Sequence, residues 1–201
     1  MDQIVEIFYS FHSPYCYFAI DRLWQIGQKF DARVIWQPYS SKLAGQGYQG
    51  NMPEEMASYV REDSVRLAKK LGLRLVLRAD WPQNEFDADK SIRGALVASD
   101  MNILYEYNIK MFQRWWAEGE DPNEQSFLVE LCDDLDIDPN EFSGKMNSSD
   151  VRERVRGCFK RGKKLGVFDV PTIIIGEERF HGMERIEAAE ERLTEMGLRK
   201  A

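Results

Sequence analysis

The sequence has few of the residues that a metal site or a disulfide framework requires. Its 201 residues include three cysteines and two histidines. The cysteines, Cys16, Cys132 and Cys158, show no zinc-ligand spacing and are odd in number, so we expect no disulfide framework and a reducing compartment. His12 and His181 lie too far apart in the sequence to suggest a metal site.

A long apolar run is also missing. No segment approaches the roughly 20 apolar residues that a membrane-spanning helix needs. The first residues do not show the charged-then-apolar pattern of a leader. We therefore expect a cytoplasmic protein that does not enter the membrane. With 43% apolar residues, a chain of this length can build one sizeable core and accommodate an inserted subdomain.

Positive charge is in the minority. Lysine and arginine number 27 against 34 acidic residues, and the formal net charge is −7. Nucleic-acid binding needs a wide basic face, so we expect no nucleic-acid partner. A local basic run between residues 152 and 164 is interpreted as a solvated helix face. A second option is that one or two of its cations lie near the site and attract a carboxylate substrate.

The segment Ser13-Pro14-Tyr15-Cys16 carries the first chemical signal. It follows residues 4–9, whose β-branched and aromatic side chains predict a buried strand. Ser13 suits a helix N-cap, and Pro14 suits the first turn because its missing N–H would have no partner there. Ser13 and Cys16 are thus predicted at a helix N-terminus, where the dipole and unpaired N–H groups favour an anion such as a thiolate.

A second signal lies between residues 166 and 182. Pro171 leads into the apolar run 173–175, and a turn separates this run from another strand-like segment. A proline is accepted at the first residue of a strand, and in a tight turn it can be cis. An apolar stripe from residue 184 onward is typical of an amphipathic helix. With residues 33–36 as the second strand, the order is βαβ, a long middle and ββα, which predicts an α/β, thioredoxin-like fold.

The middle of the chain is predicted to be an all-helical insertion. We assign residues 1–40 plus 161–201 to the thioredoxin-like domain and residues 41–160 to the insertion. Cys132 and Cys158 fall on apolar helix faces and are expected in the core, and the pair Trp115-Trp116 is assigned to packing. Two helix stripes are read from their apolar spacing: Met56, Tyr59, Val60, Leu67 and Leu71, then Ile92, Ala95, Leu96, Ser99 and Ile103.

The chain resembles the 2-hydroxychromene-2-carboxylate isomerases and the kappa-class glutathione transferases, in the DsbA-like branch of the thioredoxin superfamily. The resemblance covers nearly the whole chain and rests on FYSFHSPYCYFA, on QPYSSKLAG with the following Asn-Met-Pro, and on GVFDVPTIIIGEERFHGMERIE. Ser13 stands where the dithiol members of the branch carry their first cysteine. The resemblance therefore implies glutathione as cofactor, a small aromatic or electrophilic substrate, and a homodimer.

The resemblance also implies roles for individual residues. Ser13 would hydrogen-bond the glutathione thiolate. Val170, before Pro171, would pair through its backbone N–H and C=O with the cysteinyl part of glutathione. Glu184, with Met183 beside it, would receive the γ-glutamyl ammonium where the family has an aspartate.

Four further residues are candidates near the same site. Asn51 matches a family asparagine on the glycyl or substrate side, and Lys42 is a candidate for binding a carboxylate. His12 could transfer a proton, or simply be solvated. Cys16 corresponds to the second cysteine of the dithiol proteins, where a thiol usually points inward and reacts slowly.

Two other functions stay open at this point. A monothiol oxidoreductase would work through Cys16, which would then have to be reachable from solvent. A non-catalytic thioredoxin-fold protein would use the cleft to hold peptide strands. The glutathione-dependent isomerase or transferase differs from both because it predicts glutathione binding that depends on Ser13, Pro171 and Glu184.

Overall fold

A four-stranded mixed sheet organises the protein in the computed structural model, which describes residues 3–40, 52–79, 81–82 and 88–200. The strand order is β2-β1-β3-β4, with β1 parallel to β2 and antiparallel to β3, and β4 antiparallel to β3. This arrangement confirms the predicted βαβ and ββα units. The strands are β1 (Gln3–Tyr9), β2 (Ala32–Pro38), β3 (Thr172–Ile175) and β4 (Glu178–His181).

Within the described ranges, one helix connects β1 to β2, one follows β4, and the others lie between β2 and β3. This confirms the predicted helical insertion. A π-helical segment, Gln113–Glu118, continues α4, and a 3₁₀ turn, Met183–Arg185, precedes α8. The helices are α1 (Pro14–Lys29), α2 (Glu54–Leu71), α3 (Ala88–Asp100), α4 (Leu104–Phe112), α5 (Gln125–Asp134), α6 (Pro139–Met146), α7 (Ser149–Lys164) and α8 (Ile186–Glu195).

Helix α7 runs unbroken past residue 160, where the two domains were divided. The division at residues 160 and 161 therefore stays a prediction. None of the helices in the described ranges combines the length and the apolar character that crossing a membrane requires.

Strand β1 is the centre of the hydrophobic core. Successive side chains of a strand point to opposite faces, and both faces of β1 are covered. Val5 and Ile7 join a cluster with apolar side chains of α1 and α8. Phe8 joins a larger cluster formed with the insertion helices. Complete burial of each such side chain contributes about 1.5–3 kcal/mol relative to exposure.

The buried faces of two insertion helices differ from the sequence prediction. Tyr59 is 56% exposed and Leu71 43% exposed, and Ser99 is also exposed. Three of these stripe positions were therefore wrong. The buried side of α2 is lined mostly by small side chains, which a search for large apolar residues passes over: Ala57, Val60, Ser64 and Ala68.

The other core predictions in the insertion are confirmed. Trp115 and Trp116 are each 1% exposed, and Cys132 and Cys158 are buried. Burial raises the pKa of both thiols to about 11. These two cysteines are therefore neutral core residues near neutral pH.

Three arginines of the predicted basic run on α7 make ion pairs. Arg154 binds Asp100, and Arg156 binds its own-helix neighbour Glu153. Arg161 reaches the sheet and binds Glu6 of β1. Attraction of a carboxylate substrate by one or two cations of the run stays a prediction.

Candidate functional site

The topology brings the two sequence signals to one edge of the sheet. Phe8 near the end of β1 lies opposite Thr172 at the start of β3. The loop that follows β1 and the Val170-Pro171 pair that precedes β3 therefore meet. The end of β4 lies at the same edge, because the Gly182 N–H donates to the Pro171 carbonyl oxygen at 2.9 Å.

Ser13 is the N-cap of α1, as predicted. Its Oγ accepts a hydrogen bond from the Cys16 N–H at 3.4 Å, and its carbonyl oxygen accepts from Cys16 and Tyr17. Pro14 has no N–H to satisfy. The Tyr15 N–H has no acceptor among the described residues. This helix end therefore offers a hydroxyl and a backbone donor beside the positive end of the dipole.

Cys16 points into the core. Its side chain is fully buried, and the Ser10 N–H donates to its sulfur at 3.4 Å. Burial raises the pKa of the Cys16 thiol to about 12, although hydrogen bonds from Ser10 and Ser13 act in the opposite direction. The thiol is therefore neutral near neutral pH and is not reachable from solvent.

Two indoles from outside the thioredoxin-like part hold the loop before Ser13. The Trp116 Nε1–H donates to the Phe11 carbonyl oxygen at 2.8 Å, and the Trp81 Nε1–H donates to the His12 carbonyl oxygen at 3.3 Å. The sequence analysis assigned Trp116 to packing and did not single out Trp81. A buried indole N–H usually finds a partner, and that is the only signal in the sequence that could have suggested these contacts.

His12 packs among aromatic rings and is only partly exposed. Its ring centroid lies 5.6 Å from that of Trp115, edge to face, and 6.1 Å from that of Trp81. His12 is therefore packed against two indoles and keeps part of its surface in contact with solvent. Its role in proton transfer stays a prediction.

Val170 and Pro171 are joined by a cis peptide bond, and Val170 is 6% exposed. The Val170 N–H donates to Asp169 Oδ1 at 2.8 Å. Burial raises the pKa of Asp169, while the Val170 N–H and His181 act against this shift. The sequence analysis did not single out Asp169, because nothing in its local sequence shows where its carboxylate points.

Glu184 folds back over Gly182. A Cβ added at Gly182 would lie 2.5 Å from Glu184 Oε1, and the backbone there has a φ of +98°. Glycine is thus favoured by the backbone conformation, whereas the exposed Glu184 carboxylate could swing away from an added Cβ. Glu184 is exposed and Met183 half-buried.

Tyr15 binds a second carboxylate near this edge, that of Asp63. Its hydroxyl donates to Asp63 Oδ2 at 3.2 Å. Burial and the charge of Asp63 raise the pKa of the Tyr15 phenol, and Glu184 adds a weaker effect. Tyr15 therefore connects α2 to the side of the site where Glu184 lies.

The structure brings together Ser13, Val170, Pro171, Met183 and Glu184 at one sheet edge. The two remaining candidates, Asn51 and Lys42, lie outside the described residues, and their roles stay predictions.

Comparison with known proteins gives the family. Residues 4–194 match the DSBA-like thioredoxin domain. The chain belongs to this family. A curated relative of this DSBA-like protein, 2-hydroxychromene-2-carboxylate isomerase of Pseudomonas putida, is 23% identical over 190 residues, covering 91% of this chain and 90% of the relative. The family resemblance inferred from the sequence is confirmed.

Solved structures agree on the fold of this DSBA-like chain. A 2-hydroxychromene-2-carboxylate isomerase matches with a TM-score of 0.80 and 22% identity, covering 96% of this chain and 95% of that one. A cytosolic disulfide reductase, DsbM of Pseudomonas aeruginosa, solved with GSH, matches with a TM-score of 0.64 and 15% identity, covering 95% and 99%. The isomerase relatives support an enzyme of the thioredoxin superfamily.

Proposed function

We propose that this protein is a glutathione-dependent isomerase of the 2-hydroxychromene-2-carboxylate type, or a kappa-like glutathione transferase, in which Ser13 stabilises the glutathione thiolate. The observation that carries the proposal is the contrast between Ser13 and Cys16, which lie in the same turn at the start of α1. Ser13 presents a hydroxyl at the N-terminus of α1, whereas Cys16 is fully buried. The protein can therefore stabilise a sulfur anion but has no accessible thiol of its own at this site.

The residues at the sheet edge fit glutathione. The tripeptide has a thiol in the middle, an ammonium at one end and a carboxylate at the other. Ser13 and the Tyr15 N–H are donors for the thiolate, and the exposed Glu184 carboxylate is an acceptor for the ammonium. Val170, beside the cis-Pro171, carries the backbone groups for a strand-like pairing with the cysteinyl residue.

Glutathione, when bound, supplies a sulfur nucleophile that adds reversibly to a conjugated aromatic acid in the isomerase case or attacks an electrophile in the transferase case. The protein ionises and orients that sulfur. Ser13 Oγ accepts from the Cys16 N–H, and its single proton, which faces the neutral Cys16 thiol, would turn to a bound thiolate because the anion is the stronger acceptor. The hydrogen bond and the helix dipole both lower the pKa of a bound thiol.

No observation favours a monothiol oxidoreductase. That activity needs an accessible thiolate, whereas Cys16 is 0% exposed and burial raises its pKa to about 12. A peptide-binding protein without catalysis is the outcome expected if peptides bind and glutathione does not compete with them.

Substitution of Ser13 tests the proposal. Ser13→Ala is expected to raise the pKa of the thiol of bound glutathione, which is measured by the ultraviolet absorbance of the thiolate. Turnover should fall about 100-fold, the usual effect of losing one hydrogen-bond donor to a developing anion. Ser13→Asp keeps an N-cap oxygen but places a negative charge beside the sulfur, so it should be folded and equally impaired.

The matched control is Ser148→Ala. Ser148 caps α7 through the Val151 N–H at 3.3 Å, so this variant loses the same kind of cap far along the chain from Ser13. It should lose similar stability, about 1 kcal/mol, with no change in thiol pKa. An unchanged thiol pKa in Ser13→Ala would remove the proposed role. Glutathione concentration separates the two activities, because an isomerase leaves it constant and a transferase consumes it.

A further inference from the structure

The backbone N–H that the proposed function assigns to glutathione already has a partner. The Val170 N–H donates to Asp169 Oδ1 at 2.8 Å, a full-strength hydrogen bond. A backbone amide has a single proton. A ligand carbonyl can therefore bind this N–H only if the carboxylate moves away.

The loop that carries Asp169 is fixed at its backbone. Thr172 Oγ1 donates to the Asp169 carbonyl oxygen at 2.7 Å and lies 3.2 Å from His181 Nδ1. Since the hydroxyl has one proton, His181 Nδ1 must carry the hydrogen of the second contact. Thr172 is 2% exposed. The main chain of Asp169 is thus held in place, and only its side chain is left to move.

The Asp169 side chain is also partly buried. Burial raises its pKa, and its charge in turn raises the pKa of Cys16, so it lies on the Cys16 side of the cleft. The hydrogen bond from the Val170 N–H and the nearby His181 both favour its ionised form. A partly buried carboxylate regains hydration when it moves into solvent. This gain offsets part of the free energy that a ligand must supply to displace it.

We propose that Asp169 competes with glutathione for the Val170 N–H and thereby weakens and selects ligand binding at this edge. Binding would exchange the Asp169 carboxylate for the cysteinyl carbonyl oxygen, and a ligand that cannot offer an in-line backbone carbonyl would not displace it. The inference rests on the proposed function. It makes Asp169 a positioning residue that acts through Val170.

Calorimetric titration with S-methylglutathione tests the competition. This ligand has no ionisable thiol, so effects of Asp169 on thiolate formation cannot contribute. Asp169→Ala frees the N–H and should bind about fivefold more tightly than wild type, the value of one ordinary hydrogen bond. Asp169→Asn keeps a weaker, neutral acceptor and should lie between the two.

Glu177→Gln is the matched control. Glu177 is exposed in the turn between β3 and β4, at the opposite end of the hairpin from Pro171. The variant removes the same charge and should bind like wild type. Equal affinities for Asp169→Ala and Asp169→Asn would mean that only the negative charge of Asp169 affects binding, and not its hydrogen bond to the Val170 N–H. This result would overturn the proposed competition.

Two other outcomes separate the inference from the proposed function. If the wild type and Asp169→Ala bind S-methylglutathione with the same affinity, the inference is overturned and the proposed function still stands. Absence of binding in both overturns both.

A nuclear magnetic resonance measurement covers the case in which Asp169→Ala does not fold. In the wild type, the Asp169 side-chain carboxyl carbon and the Val170 amide should shift together on saturation with S-methylglutathione. A carboxyl resonance that stays unchanged at saturation contradicts displacement.

Discussion

Trp116 donates its indole N–H to the backbone carbonyl oxygen of Phe11 at 2.8 Å, across 105 residues of sequence. Phe11 belongs to the loop that ends at Ser13, and Trp116 belongs to the helical insertion. Trp81 makes the corresponding contact to the next carbonyl, that of His12. The position of the site loop therefore depends on the insertion, although the strand and helix that flank the loop are thioredoxin-like.

Replacement of Trp116 by phenylalanine should test this dependence. The variant keeps an aromatic ring but leaves the Phe11 carbonyl oxygen without its donor, which costs about 1–3 kcal/mol of unfolding free energy. Urea unfolding measures the loss, and weaker glutathione binding should accompany it. Trp24→Phe is the control, because the Trp24 indole stacks on Trp36 and its N–H has no partner among the described residues. An equal effect on glutathione binding in both variants would contradict the dependence.

Cys16 should behave as a buried thiol. Alkylation in the native state near neutral pH should be slow, and Cys16→Ala should retain glutathione binding and turnover. Fast alkylation, or loss of activity in Cys16→Ala, would contradict the assignment and point to the monothiol chemistry.

The same thiol predicts a pH dependence of stability. Its pKa is raised from 9.0 to about 12 in the folded protein, so between these values the unfolded chain releases the proton and the folded chain keeps it. The unfolded state then binds fewer protons, and the free energy of unfolding falls as the pH rises through this window. Below pH 9.0 both states are protonated and the effect vanishes. Denaturant unfolding at several pH values should show a shallower decline in Cys16→Ala.

The pair of Arg161 and Glu6 should be a strong contributor to stability. Glu6 is 4% exposed on the central strand, and its carboxylate accepts from Arg161 Nε at 3.0 and 3.1 Å, from Arg161 Nη2, and from Gln37. Arg161→Met leaves a buried charge without its cation. We expect a loss of about 2 kcal/mol, less than for a fully buried pair because the arginine side chain is 43% exposed.

Two variants serve as controls for this pair. Arg156→Met removes an arginine of the same helix whose pair with Glu153 is exposed on both sides, and it should change stability little. Adding Glu6→Gln to Arg161→Met should recover part of the loss, since the uncompensated charge is gone. No recovery in the double variant would mean that the loss came from packing of the arginine stem.

Glu184→Gln should weaken glutathione binding if this carboxylate receives the γ-glutamyl ammonium. The effect should be about threefold, because an exposed ion pair contributes less than about 1 kcal/mol. Calorimetry with glutathione measures it, and a derivative acetylated on the γ-glutamyl nitrogen should bind both forms equally. Glu187→Gln, an exposed carboxylate on α8, is the control. Equal weakening for the acetylated derivative would remove the ammonium contact.

Much of the fold could be predicted because its signals are local. The strand before Ser13, the cap at Ser13 and the proline in the first turn of α1 each follow from a few neighbouring residues, and the structure has all three. The stripe predicted for α2 was less accurate, since Tyr59 and Leu71 are exposed. Which face of a helix is buried depends on the element that packs against it. On α2 the buried face includes small residues such as Ala57, which a search for large apolar side chains does not find.

The sequence by itself determined the order of the strands and helices and the serine at the start of α1, because neighbouring residues decide backbone propensity and capping. Only the tertiary structure decided that Cys16 is sealed in the core, that Asp169 holds the Val170 N–H, and that the indole of Trp116 reaches Phe11. These contacts depend on how distant segments pack and on where one side chain turns. No spacing rule along the chain reaches them, because burial and hydrogen-bond partners are properties of the assembled core.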